Sequence, residues 1–224
     1  MNRLALDSLF SQQADLLLAE LKQKAALLLA AKPLALSSLD PADTLIISID
    51  INNGFAVRGA LCSAEAGALI APTVALLARA KAAGFATLAF CDRHTSDSPE
   101  LSDFPPHCIA GTGEDELPAA LARVSDRILY KNSTNGFFAP GAGEALAPYR
   151  RFVVTGCLTE FCIFQFATTL RAWLNERGEA GGEVIVPLDL IDSYDAPGHS
   201  ALLYNLVYAA GMAESGVRLA AAIE

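Results

Sequence analysis

The sequence predicts an α/β fold: a single doubly wound domain whose six-stranded, mostly parallel sheet carries helices on both faces, preceded by an extra N-terminal helix. Three observations lead there. Strand-like apolar runs alternate with helical patterns along most of the chain, the sequence form of βαβ units with right-handed crossovers. The run at 44–50, Thr-Leu-Ile-Ile-Ser-Ile-Asp, is nearly continuous in apolar and β-branched residues, as expected of a strand covered on both faces. At 224 residues, with 53% hydrophobic content, the chain suits one domain that needs no disulfide or metal staple.

Taken in order, the apolar stretch 16–31 is interrupted by Glu20, Lys22, Gln23 and Lys24. It is too polar to span a bilayer and reads as an amphipathic helix. A linker containing Pro33, Ser37, Ser38 and Pro41 leads to the first strand, so that 1–43 form a helix and linker and 44–224 the domain proper. Further strands are expected at 85–91, 127–130, 152–156, 183–187 and 217–221, and helices at 64–83, 117–124, 143–149, 160–176 and 199–213. Gly111-Thr-Gly113 lacks a third glycine and does not directly follow a strand, so a phosphate-binding reading is weak.

A net charge of −9 without a Lys/Arg cluster argues against a nucleic-acid or anionic-membrane partner and leaves small molecules and protein subunits. Met1-Asn-Arg-Leu-Ala-Leu-Asp7 lacks the pattern of a secretory leader. The five cysteines (Cys62, Cys91, Cys108, Cys157, Cys162) are odd in number and contain no CxxC pair. They read as reduced thiols, and a cytoplasmic location is expected.

In doubly wound sheets, ligands bind where the winding reverses, at the carboxyl ends of the strands. The chemically capable residues there are Asp50, then Asp92 and His94, then Lys131, then Cys162. Cys162 follows a strand and opens a helical pattern, where the helix dipole and free N–H groups favour a thiolate. Its apolar neighbours Phe161, Ile163 and Phe164 leave a plain core position as the alternative. Asp50 could take the thiol proton and pass it to a leaving amine, with Lys131 holding Asp50 and stabilising the thiolate. A turn-capping Asp and a solvated Lys are the competing readings. Asp92, His94, Glu100 and His107 offer two carboxylates and two imidazoles, a ligand set that suits Zn²⁺, Fe²⁺ or Mn²⁺. Asp97 and Asp103 compete with Glu100, and a polar surface loop is the alternative to a metal site. His199, at a helix start, is expected to be a structural hydrogen-bonding residue.

Ile49-Asp50-Ile-Asn-Asn-Gly-Phe55, Tyr130-Lys131 followed by Gly136-Phe137, and Thr155-Gly-Cys-Leu-Thr-Glu-Phe-Cys162 resemble the motifs of the isochorismatase-like cysteine hydrolases, with nicotinamidases as the nearest branch. The resemblance runs from about Thr44 to the C-terminus. It implies a triad of Asp50, Lys131 and Cys162. It also implies a cis peptide before Leu158 that turns the N–H of Leu158, beside that of Cys162, toward an oxyanion. Asp92, His94 and His107 fall on family metal positions, and the fourth ligand, His or Glu among nicotinamidases, is assigned to Glu100. Phe55 and Phe104 match positions that flank the substrate ring, with an ordinary core role as the alternative, favoured less for Phe104 beside Pro105-Pro106.

Three departures stand out: Glu160 in place of the usual Asp, Asn52 in place of the usual Gln, and the long N-terminal helix. The implied activity is hydrolysis of a small nicotinamide-like carboxamide through a Cys162 thioester, with release of ammonia and with a divalent transition metal, Zn²⁺ first and Fe²⁺ or Mn²⁺ next. Another amide, a ureide or a vinyl ether is the alternative substrate, and a catalytically silent binding module the alternative class. The extra helix and the family habit imply a homo-oligomer, a dimer or tetramer.

Overall fold

The computed structural model describes residues 6–224, with side chains described from residue 9; the reading of 1–5 as free of a leader pattern lies outside the described residues. In chain order the elements are α1 (Leu6–Leu29), β1 (Thr44–Ile49), α2 (Asn53–Ala56), α3 (Ala64–Ala68), α4 (Ile70–Ala82), β2 (Ala86–Asp92), α5 (Ala119–Val124), β3 (Arg127–Lys131), α6 (Ala142–Leu146), β4 (Arg151–Cys157), α7 (Phe164–Glu176), β5 (Glu183–Pro187), β6 (Ile191–Asp192), α8 (Ala201–Glu214) and β7 (Arg218–Ala220). The strands pair in the order β3-β2-β1-β4-β5-β7, all in parallel.

All six expected strands are present, and the sheet has a seventh. The addition is β6, two residues that pair with Gly156 and Cys157 at the end of β4. So short a strand has no periodicity of its own to read. The helix expected over 64–83 divides at Leu69, and the one expected from 160 opens as a π-helical turn, Thr159–Ile163, before α7 begins.

Every residue of β1 is buried, because its side chains enter two cores. Leu45, Ile47 and Ile49 join one cluster with Phe166 and Leu170 of α7, while Ile46 joins the other with Leu76 and Leu77 of α4. This double cover accounts for the unbroken apolar run.

The winding reverses between β1 and β4, which are neighbours in the sheet although the chain visits β2 and β3 between them. Gly156 permits their close approach: at φ +124°, a Cβ there would stand 2.0 Å from the carbonyl oxygen of Ile49. Only glycine fits.

Along α1 only Leu21, Lys24, Ala25 and Leu28 are partly shielded, the i, i+3, i+4, i+7 stripe of one helix face. Lys24 Nζ lies 2.9 Å from Glu214 at the end of α8. Every residue from 9 to 20 is exposed, Phe10 to 63% and Leu16 to 70%. The apolar positions of this helix are therefore not confined to the side that meets the domain. The linker runs beside the chain's last residues, with Leu34 N–H donating to Ala222 O at 2.9 Å and Glu224 N–H to Leu34 O at 2.9 Å.

Candidate active site

Strand register brings the predicted residues to one level. Asp92 and Lys131 are cross-strand partners at the ends of β2 and β3, and Asp50, at φ 55°, follows β1 with its N–H donating to Phe90 O at 3.0 Å. Cys162 lies on the π turn after β4, across the switch point from Asp50. Lys131 Nζ, wholly buried, lies 2.8 Å from Asp50 Oδ2 and 3.9 Å from Cys162 Sγ, and donates to the Ser133 carbonyl at 3.0 Å. It also donates to Asp92 Oδ1. The three triad candidates are thus in contact, and the lysine carries a fourth partner that the triad reading did not include.

The charges settle accordingly. Burial pushes the Asp50 carboxyl up, Lys131 offsets part of that and Asp92 adds to it, leaving Asp50 at about 7. Burial opposes the Lys131 ammonium, but the carboxylates of Asp50 and Asp92 hold it well above the ordinary lysine range. Burial also drives the Cys162 thiol well above its usual value, with Asp50 reinforcing the effect and Lys131 opposing it. This corrects the expectation of a dipole-lowered thiol. Cys162 is enclosed beside Asp50, on a π turn rather than in a regular helix start, and this burial opposes the thiolate.

The cis peptide expected before Leu158 is present between Cys157 and Leu158. Asn52, which stands in place of the usual Gln, donates through Nδ2 to the Asp92 carbonyl at 2.9 Å, so this departure still braces the strand end.

Asp92, His94, Glu100 and His107 come together with one ligand atom from each within 4.8 Å of the others. Asp97 and Asp103 are not in the cluster. A parallel bridge between His94 and Ile109 ties the 107–110 loop to the chain leaving β2, bringing the two imidazole rings to 4.7 Å. Asp92 Oδ2 lies 3.4 Å from His94 Nε2 and 3.7 Å from His107 Nε2, and Glu100 Oε1 lies 3.9 Å from His94 Nε2.

The outer nitrogens test whether these residues suit a cation. His94 Nδ1 donates to Asn132 Oδ1 at 2.8 Å and His107 Nδ1 to the Pro105 carbonyl at 2.8 Å, which leaves both Nε2 lone pairs facing the carboxylates. His94 Nε2 is buried without a hydrogen-bond partner. Burial opposes a charged His94, yet Asp92, Asn132 and Glu100 outweigh it and raise its affinity for a proton. The cluster is short of positive charge, and a divalent metal fits it.

A cavity of about 210 Å³ opens onto both groups and is lined by Asp50, Cys162, Leu158, Asp92, Glu100 and His107 together with apolar walls. Phe55 and Phe104 line it as expected, with ring centroids 5.5 and 6.2 Å from His107. Phe161, 6.0 Å from Phe104, and Tyr194 line it as well and were not expected. Phe161 directly precedes the cysteine in sequence, which is the one signal that could have marked it. Tyr194 has none, because it arrives from β6. His199 is held as expected, with Nδ1 donating to the Tyr194 carbonyl at 2.9 Å.

A model of the isochorismatase domain matches residues 44–215, and the chain belongs to this family of hydrolases. Among individual relatives it is similar to nicotinamidase 1 of Arabidopsis thaliana, 34% identical over 95 residues; that match spans 37% of this chain and 38% of the plant protein. The fold is that of a pyrazinamidase/nicotinamidase from Streptococcus mutans, at TM-score 0.65 and 22% identity over 79% of this chain and 99% of the other. It is equally that of an N-carbamoylsarcosine amidase from Thermoplasma acidophilum, at TM-score 0.63 and 18% identity over 80% and 95% of the two chains. Among the described residues no helix is long and apolar enough to cross a membrane.

Proposed function

We propose that the protein is a metal-containing cysteine amidase that hydrolyses a small, uncharged, nicotinamide-like carboxamide and releases ammonia. The observation that carries the reading is one cavity lined both by Asp50 and Cys162 and by Asp92, Glu100 and His107, which cluster with His94. Its walls are Phe55, Phe104, Phe161 and Tyr194, suited to a planar ring. All the ionisable side chains that line it are acids, thiols, a phenol or an imidazole, and no Arg or Lys is among them. A substrate with a free carboxylate, such as an N-carbamoyl amino acid, would find no Arg or Lys to pair with, and the carboxylates of Asp92 and Glu100 already offset the charge of a divalent metal held there, which favours the carboxamide over that ureide.

In this reading Asp50 accepts the Cys162 proton as sulfur attacks the amide carbon, because neither group favours separate ionisation. The oxygen of the tetrahedral adduct is met by the N–H groups of Leu158 and Cys162. Asp50 then delivers the proton to the departing nitrogen, ammonia leaves and a thioester remains on Cys162. Asp50 next takes a proton from water as water attacks the thioester, and the carboxylic acid is released with the thiol restored. Lys131 holds Asp50 in place throughout. Asp92, His94, Glu100 and His107 would hold the metal, Zn²⁺ first and Fe²⁺ or Mn²⁺ as alternatives, and when bound it supplies a Lewis-acidic contact for a ring nitrogen or a water.

A cytoplasmic location and self-association through the exposed residues of α1 belong to the same reading. Ammonia release from a panel of small amides and ureides, with metal content determined on the same sample, tests it. Release from nicotinamide-type amides by metal-loaded protein is expected; turnover of ureides alone would overturn it.

A further inference from the structure

Glu160 occupies the position where the resemblance expects Asp, and it is a buried carboxylate, 4% exposed, on the same π turn that carries Cys162. Its Oε1 accepts from Ser193 Oγ at 2.8 Å and lies 3.1 Å from His199 Nε2. Among the described residues no Lys or Arg pairs with it. The nearby acids are engaged elsewhere: Asp192 Oδ1 accepts from the Ser193 N–H and from Asn205, and Asp195 Oδ1 accepts from the Ala201 N–H.

His199 is half-buried and held by its neighbours. Its ring is stacked between Tyr194, at 4.0 Å and 8°, and Tyr204 of α8, at 3.8 Å and 12°. Reciprocal backbone bonds of 2.9 Å between Ala196 and His199 close the loop around it. With Nδ1 donating to the Tyr194 carbonyl, a neutral imidazole would turn the bare lone pair of Nε2 toward Glu160. His199 Nε2 has no hydrogen-bond partner, and Glu160 Oε1, 3.1 Å away, is the polar atom set against it. Tyr194, stacked on this ring, is a wall of the substrate cavity.

We propose that Glu160 and His199 form a polar latch that joins the Cys162 turn to the Tyr194 wall, acting as positioning residues for the nucleophile. The extra methylene of Glu relative to Asp gives the carboxylate its reach from the turn to His199. β6, paired with the end of β4, brings the two loops side by side. The latch rests on the reading of Cys162 as the nucleophile, and it works the same way for any substrate attacked there.

The test measures the rate of Cys162 alkylation by iodoacetamide, with Cys62 as internal reference and thermal melting as the check on folding. Glu160→Ala removes the contact, and His199→Phe keeps the ring stack while losing both nitrogens. Glu160→Gln keeps the length and supplies a donor to a neutral imidazole. The first two are expected to slow alkylation about tenfold, the double variant to be no slower than either, and Glu160→Gln to stay within about twofold of wild type, as for two groups coupled in one contact. Unchanged Cys162 rates in Glu160→Ala and His199→Phe, additive losses, or a Glu160→Gln as damaged as Glu160→Ala would overturn the latch. Ammonia release by the wild-type protein is scored separately, so a wrong substrate reading fails there while the alkylation series still decides the latch.

Discussion

Asp92 gives one carboxylate oxygen to Lys131 and turns the other toward His94 and His107, at 3.4 and 3.7 Å. Burial alone would raise its pKa, but the Lys131 ammonium and the two imidazoles hold it well below the usual carboxylate range. One side chain therefore links the Asp50–Lys131–Cys162 group to the proposed metal ligands. Asp92→Asn is expected to lose bound metal and also to slow turnover, whereas Cys162→Ala is expected to abolish turnover and keep the metal. Metal analysis beside kcat separates them, and full metal retention in Asp92→Asn would remove this residue from the ligand set.

The pH profile follows from Asp50. Its carboxyl, raised by burial from 3.8 to about 7, accepts a proton only when ionised, so kcat/KM is expected to climb as pH rises through about 7. Asp92 contributes to that elevation, so Asp92→Asn is expected to move the limb to lower pH. Asp50→Asn should cost at least about a hundredfold in kcat, the usual scale of general acid–base catalysis, and remove the limb. A smaller loss would reduce Asp50 to a residue that shapes the turn.

With Asp50 as the proposed acceptor of the Cys162 proton, the same limb should govern alkylation of Cys162. Cys91, Cys108 and Cys157 are buried, and burial raises all three thiols. They are expected to stay unlabelled in the folded protein. Exposed Cys62 is the competitor, and peptide mapping across pH should show Cys162 following the Asp50 limb. Labelling of Cys162 that ignores pH near 7 would argue against proton transfer between the two.

What could be read from the sequence was local. Asp50, Asp92, Lys131 and Cys162 stand at or just after strand ends, and a parallel sheet carries such positions to one edge without further information. What could not be read depends on contacts across the chain. Asn132 and the Pro105 carbonyl set the histidine tautomers, and Tyr194 reaches the cavity through a two-residue strand with no pattern to detect. The thiol departs from the sequence expectation for the same reason. A helix start was legible at 160, but its enclosure beside Asp50 was not, and enclosure decides the sign of the shift.

Asn132 gives the tautomer argument its own test. Its Oδ1 accepts the Nδ1 proton of His94 at 2.8 Å, which frees Nε2 for the cluster. Asn132→Ala is expected to weaken metal affinity by about 10–100-fold, the usual effect of removing a ligand's outer hydrogen bond. Titration with Zn²⁺ against a competing chelator measures it. Affinity equal to wild type would show that His94 needs no such orientation.

Gly156 carries the prediction for the fold beneath the site. Any side chain there meets two penalties at once: a φ of +124° that L-residues rarely adopt, and a Cβ position 2.0 Å from the Ile49 carbonyl oxygen. That oxygen belongs to β1 and cannot rotate away as a flexible side chain could. β1 and β4 would have to separate at the switch point, where Asp50 and the Cys162 turn leave the sheet. Gly156→Ala is expected to cost about 3 kcal/mol or more from strain and overpacking together, lowering Tm by roughly 6–12 °C for a chain of this size. Because the separation falls between Asp50 and Cys162, activity should drop even at temperatures where the variant stays folded. Calorimetry and ammonia release on the same preparation measure both, and a variant with wild-type Tm and wild-type turnover would mean that the two strands do not meet as closely as described.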